Sequence, residues 1–177
     1  MKKLKLEELG RISVDEFKQA AKLPVCIVLD SVRSLHNVGS AFRTADAFKL
    51  EKIYLAGITG QPPHREIEKT ALGATASVDW EYIQSTADLL RKLKEKGYVI
   101  IAIEQTSKSQ SLAEFCPKPG NKYCLVFGNE VHGVSEDAIA QAALAIEIPQ
   151  HGTKHSLNIS VCLGIVCWEF FKGLEEL

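Results

Sequence analysis

Three short stretches of this chain hold side chains whose types and spacing suit chemistry. "SLHNVGSAFRTADAF" contains Asn37 and Arg43, "FGNEVHG" places Asn129 and Glu130 after Gly128, and "IPQHGTKHSLN" ends on Ser156 and Asn158. A guanidinium, a carboxylate, amides and a hydroxyl can together bind and orient a polar substrate. Arg43 is the residue its own segment explains least. At about 100° per residue, Val38, Ala41, Phe42, Ala45 and Phe48 fall on one helix face, while Gly39, Ser40, Arg43 and Asp46 fall on the other. The core has no use for that arginine. Each residue also has a plain structural reading: Asn37 and Ser156 suit helix N-caps, Glu130 a solvated loop carboxylate and Arg43 a surface charge.

Other chemistries lose ground on spacing. No GxGxxG follows the first apolar run, and "GTKHS" lacks the upstream glycine and the Gly-Lys-Ser/Thr of a phosphate-cradling loop. His151 and His155 have a spacing that suits two metal ligands on a helix, but Gly152 lies between them just after Pro149, which predicts a loop and no metal site. "VGSAF" offers Gly39 and Ser40 without the GxSxG elbow of a hydrolase.

The elements that must position these residues follow from periodicity. The runs at 25–30, 52–58, 98–105, 122–128 and 144–149 are short, nearly continuously apolar and rich in Val and Ile, as strands covered on both faces are. "ASVDWEYI" suggests a further short strand within 76–83. Helical patterns lie between them at 37–48, 64–72, 85–97 and 135–143, with a long final helix from about Ser156. Ser13 and Glu16 have the spacing of a capping box that opens a short helix ending by Pro24. Alternating strands and helices predict a single α/β domain, a mainly parallel sheet flanked by helices, over 24–177, with a helical extension over 1–23. Ligands of such sheets bind beyond the carboxyl ends of the strands, where all three polar stretches fall.

Composition narrows the partners. The 177 residues are 46% hydrophobic and 24% charged with a formal net charge of −1, so any basic surface for nucleic acid must be local. The five cysteines show no CxxC pairing and read as reduced residues of a cytosolic protein. The N-terminal lysines lead into alternating charge rather than a secretory signal. The longest apolar run, "ISVCLGIVCW", falls short of the ~20 residues that span a bilayer, so no membrane partner is expected.

Taken together, "LDSVRSLHNVGSAFRTADAF", "LVFGNEVHGVS" and "IPQHGTKHSLNISVCLGI" resemble the three ordered motifs of the SpoU (TrmH-type) RNA ribose methyltransferases of the SPOUT superfamily. The resemblance covers nearly all of the chain from Val25 on. It implies an α/β sheet whose C-terminal part is tied in a deep trefoil knot, against the general rule that chains avoid knots, and a homodimer. It implies that S-adenosyl-L-methionine is held in a bent form between the second and third motifs, gripped by backbone groups at Gly128, Ile148 and Leu157, with Gln105 on the adenosine side. This cofactor has no phosphate, so the missing glycine-rich loop is expected, and Gly128 would allow close backbone approach to it.

The reaction so implied is transfer of the sulfonium methyl to a ribose 2′-hydroxyl of tRNA or rRNA. A guanidinium holds its proton at neutral pH, so Arg43 reads as a bidentate clamp on the phosphate beside the target ribose rather than as the base. Asn37 would hold Arg43 or the ribose, Glu130 would orient the arginine or the loop, and Ser156 and Asn158 would fix the knot and reach the hydroxyl. Gly39 leaves room beside the guanidinium or serves packing. Lys2, Lys3, Lys5, Arg11, Lys18 and Lys22 could extend the RNA surface, with Arg33, His36, Arg65 and Lys154 nearer the site. The compact form resembles tRNA enzymes, which places tRNA ahead of rRNA. The alternative is a non-catalytic knotted RNA- or ribosome-binding module, which expects erosion of these motifs. Asn37, Arg43, Glu130, Ser156 and Asn158 are all present.

Overall fold

The computed structural model describes residues 1–175. After a 3-10 turn, Leu6–Leu9, the elements are α1 (Val14–Gln19), β1 (Leu23–Asp30), α2 (Leu35–Ala47), β2 (Leu50–Ala56), α3 (Arg65–Ala71), α4 (Ala74–Ser77) and β3 (Trp80–Ile83). There follow α5 (Thr86–Glu95), β4 (Tyr98–Ile103), β5 (Gln110–Ser111), β6 (Lys122–Phe127), α6 (Glu136–Ile139), β7 (Leu144–Glu147) and α7 (Ile159–Leu174). The seven strands form one sheet in the order β3-β2-β1-β6-β4-β7-β5. Every pairing in it is parallel.

The continuous apolar character of β1 follows from this arrangement, because successive side chains of a strand face opposite ways. Val25, Ile27 and Leu29 enter the core beneath α2, α3 and α7 with Phe42 and Phe170, while Cys26 and Val28 enter a second core with Leu89, Leu90 and Leu93 of α5. Phe17 of α1 joins the first core, and the capping box at Ser13 and Glu16 closes with both of its hydrogen bonds. Among the described residues no helix is long and apolar enough to cross a membrane.

Several local expectations change. The final helix starts at Ile159 rather than at Ser156, because Asn158 is its N-cap, accepting from the Ser160 backbone N–H at 2.8 Å. The N-cap of α2 is Ser34, so Asn37 lies in the first turn with its side chain free for another partner. The helical pattern at 135–143 contracts to α6, and the two-residue β5 has no apolar run to announce it. Gly39 is a packing glycine where α2 crosses α3: a Cβ there would lie 2.2 Å from the Ile67 carbonyl oxygen and 2.1 Å from Thr70 Oγ1. Lys22 is not a free cation for RNA, since its ammonium bonds the carbonyls of Phe17 and Ala20 and sits over the Phe17 ring.

Candidate active site

The loops after β1, β4, β6 and β7 leave the same end of the sheet. Three carboxylates tie the loop after β6 to its neighbours. Glu130 accepts the Arg33 and Ser34 backbone N–H groups and the Asn37 side-chain amide, each at 2.9 Å, which places a negative charge on the first turn of α2. Glu104, at the end of β4, accepts from the backbone of Gln105 and Val134, both at 2.9 Å. Asp30, 4% exposed at the end of β1, accepts the Thr86 hydroxyl at 2.6 Å and the Ser135 backbone N–H at 2.9 Å. Burial would raise the Glu130 carboxyl, but the N–H donors of Arg33, Ser34 and Asn37 outweigh it and hold the group below the usual carboxylate range.

The loop itself is closed on Asn129. Its backbone exchanges two hydrogen bonds of 2.9 Å with Gly133, its Nδ2 donates to the Ser31 carbonyl at 2.7 Å, and its Oδ1 accepts from Val131 and His132. Gly128 is required by this closure. A Cβ there would stand 2.0 Å from the Gly133 carbonyl carbon and 2.1 Å from Val134 N, so the close backbone approach is first of all by the loop's own return.

Between the loops lies a cleft of about 700 Å³. Gly128, Ile148 and Leu157 line it with Gln105, Glu130, Ser156 and Asn158. Its charge is one-sided: Glu104, Glu130, Glu136 and Glu147 line it, and among the described residues no lysine or arginine does. Cys162 lies in the same wall, and burial together with the nearby Glu104 charge pushes its thiol up to about 11. The Gln105 side chain donates to the His155 carbonyl at 2.8 Å, pinning the loop after β7 to the end of β4.

Arg43 is not among the residues lining the cleft. It is exposed in the middle of α2, about 9 Å along the axis from Asn37 at 1.5 Å per residue. His36, another candidate for RNA, contacts Glu66 at 2.8 Å. Glu104 and Asp30 are missing from the expected site, yet both leave a signal in the sequence: each closes a buried strand run with a carboxylate at the carboxyl end.

Residues 24–168 match the family model described as the SpoU rRNA Methylase family. The chain is 29% identical over 155 residues to the Neisseria meningitidis protein named 23S rRNA (guanosine-2′-O-)-methyltransferase RlmB, covering 88% of this chain and 61% of that one. It is 31% identical over 166 residues to the tRNA (guanosine(18)-2′-O)-methyltransferase of Thermus thermophilus, covering 92% and 81%. The AdoMet-bound rRNA methyltransferase from Sinorhizobium meliloti matches with a TM-score of 0.81 at 25% identity, covering 90% of this chain and 61% of that one. The chain thus spans less than two thirds of the length of the Neisseria and Sinorhizobium proteins.

Proposed function

The chain belongs to the SpoU rRNA methylase family, and we propose that it transfers the methyl group of S-adenosylmethionine to a ribose 2′-hydroxyl of RNA. One observation carries this reading: the three polar stretches of the sequence meet at one end of the sheet, where Glu130 is bonded to Asn37 and shares a cleft with Ser156 and Asn158. The lining fits the cofactor. Four carboxylates without a lysine or arginine favour a ligand carrying a sulfonium and an ammonium over a phosphate-bearing nucleotide. Backbone at Gly128, Ile148 and Leu157 offers the N–H and C=O groups that would hold an adenosine edge. Gln105 stands on the adenosine side with its Nε2 donating to the His155 carbonyl, which leaves its Oε1 to accept from a ligand.

When bound, S-adenosylmethionine supplies an activated methyl, which leaves the protein to align the hydroxyl and help its proton depart. Alignment alone can contribute roughly 7–11 kcal/mol. Asn37 holds Glu130, and Glu130 holds the loop after β6 against α2. Ser156 and Asn158 stand at the cleft to meet the ribose, and Arg43 clamps the adjacent phosphate. Because Arg43 lies outside the cleft of its own subunit, a homodimer that builds one site from both subunits is the assembly this reading requires. Its supporting surface is the exposed apolar stripe Val161, Ile165 and Trp168 along α7, with exposed Leu157 at the cleft just before the helix. The insertion of β6 between β1 and β4, and of β7 between β4 and β5, supports the deep knot.

Transfer RNA is the first substrate to test and ribosomal RNA the second, because the Thermus tRNA enzyme is covered over 81% of its length and the Neisseria rRNA enzyme over 61%. Incubation with methyl-labelled cofactor and separated RNA classes tests the reading. Ribose label in either class supports it, and cofactor binding without transfer to any RNA points to the non-catalytic module.

A further inference from the structure

The loop after β2 is tied down from three sides. The Gly57 backbone N–H donates to the Ile83 carbonyl of β3 at 3.1 Å, and the Tyr82 hydroxyl donates to the Gly57 carbonyl at 2.9 Å. Thr59 is buried, and its Oγ1 donates to the Leu29 carbonyl of β1 and accepts the Val32 backbone N–H, both at 2.9 Å. Gly60 lies against the first turn of α2, where a Cβ would stand 2.2 Å from Leu35 Cδ2. Between these anchors Ile58 is 70% exposed, and Tyr82 is 40% exposed although its hydroxyl is bonded. A single exposed apolar side chain is ordinary on a protein surface. Ile58 differs in that both of its neighbours in the chain are fixed, so its place is held rigidly. Two cations accompany it: Arg33 directly follows Val32, and Arg65 opens α3 at the end of the same loop. Both are exposed, and among the described residues neither forms an ion pair.

We infer that Ile58 and the ring of Tyr82 form an apolar shelf for one unpaired base of the RNA, with Arg33 and Arg65 available to the phosphates of that strand. The inference rests on the proposed RNA substrate and adds the form in which it is held. An apolar surface beside exposed guanidinium groups suits a single strand, whose bases present their faces for stacking. A duplex hides those faces and offers phosphates, hydroxyls and groove edges instead. The shelf lies at the carboxyl ends of β2 and β3, on the end of the parallel sheet that carries the cleft. The bond from Thr59 to Val32 joins it to the segment whose Arg33 and Ser34 N–H groups Glu130 accepts. Three strand spacings of about 4.8 Å separate β3 from β6. The base on the shelf therefore belongs to a nucleotide near the target ribose and selects for RNA that is unpaired there.

Fluorescence anisotropy tests this without turnover, using a fluorescein-labelled 20-nucleotide RNA of mixed sequence, single-stranded and as a duplex with its complement. Ile58→Ser and Tyr82→Ala are each expected to weaken single-strand binding at least about fivefold, the lower end of what one stacked base contributes. Duplex binding, S-adenosylhomocysteine affinity and circular dichroism should stay at wild-type values, which reports an intact fold. Tyr82→Phe keeps the ring and should bind the single strand like wild type. Single-strand affinity unchanged in both Ile58→Ser and Tyr82→Ala overturns the shelf while leaving RNA as the substrate. Equal weakening of single strand and duplex, or a loss in Tyr82→Phe as large as in Tyr82→Ala, assigns the effect to the shape of the loop and also overturns it. A change in oligomeric state of Ile58→Ser by light scattering gives the surface to a second copy of the chain instead. If the wild-type chain binds neither RNA form, the RNA reading itself fails and the shelf with it.

Discussion

Asn37 donates its side-chain amide to Glu130 at 2.9 Å across 93 residues of chain. The contact joins two of the three polar stretches and gives each a different role from the one its local sequence suggests. Asn37 is not the cap of α2, and Glu130, though exposed, is a hydrogen-bonded group rather than a free loop charge. The carboxylate takes the capping position from outside the helix, accepting from Arg33, Ser34 and Asn37 together.

Glu130→Gln tests that bond set through pH. Because the folded carboxyl is held below its ordinary value, its contribution to stability is present above the unfolded value of about 4.3 and is lost as pH falls through the folded one. The expected deficit of the variant is about 1 kcal/mol at neutral pH. Thermal melts of both proteins should converge as pH falls through that lowered folded value. A gap that persists unchanged at low pH contradicts the charge-based capping.

Gly128→Ala should disturb the loop after β6 through backbone overlap rather than through lost ligand contact. The added Cβ meets the Gly133 and Val134 backbone, which cannot rotate aside, so a cost of about 1–3 kcal/mol is expected. At about 2–4 °C per kcal/mol for a domain of this size, differential scanning fluorimetry resolves it. A ligand-free melting temperature equal to wild type would show that the glycine serves only the ligand.

Cysteine reactivity reads the charge of the cleft wall. Cys162, its thiol raised to about 11 by burial and Glu104, stays protonated and slow at pH 8, while exposed Cys116 is alkylated first. Mass spectrometry after iodoacetamide pulses should show Cys162 labelling rise only as pH approaches that value. Labelling of Cys162 as fast as Cys116 at pH 8 contradicts the buried, negatively charged wall.

The apolar stripe on α7 makes assembly testable. Trp168→Glu places a charge on a surface where Trp168 is 45% exposed and stacks with Phe48 and Phe171. Light scattering after size exclusion should give a dimer for the wild-type chain and a monomer for the variant, with the fold retained by circular dichroism. A monomeric wild type removes the shared site.

What could be read beforehand was whatever repeats locally. Runs such as "VCIVLD" reveal burial on both faces, and periodicity reveals α2 and α5, because both signals lie within a few residues. Strand order was not legible: nothing in "KYCLVFG" says that β6 lies between β1 and β4. Helix starts were ambiguous where polar residues cluster, as with Ser34 against Asn37 and Ser156 against Asn158, since several of them can cap. Glu104 and Asp30 escaped because their partners, Val134 and Ser135, are distant backbone N–H groups with no sequence signature. Arg43 could be recognised as surplus to the core, but its position outside the cleft depends on where α2 lies against the sheet.

The central claim is ribose methylation that depends on Arg43, and the most direct measurement is transfer from methyl-labelled S-adenosylmethionine to separated tRNA and rRNA, with the labelled nucleotide mapped. The expected result is label on a ribose 2′-oxygen, with Arg43→Ala and Arg43→Lys at least about a hundredfold slower because the bidentate clamp is lost, while cofactor affinity is unchanged. No transfer to either RNA class despite cofactor binding, or Arg43→Lys at wild-type rate, would contradict it.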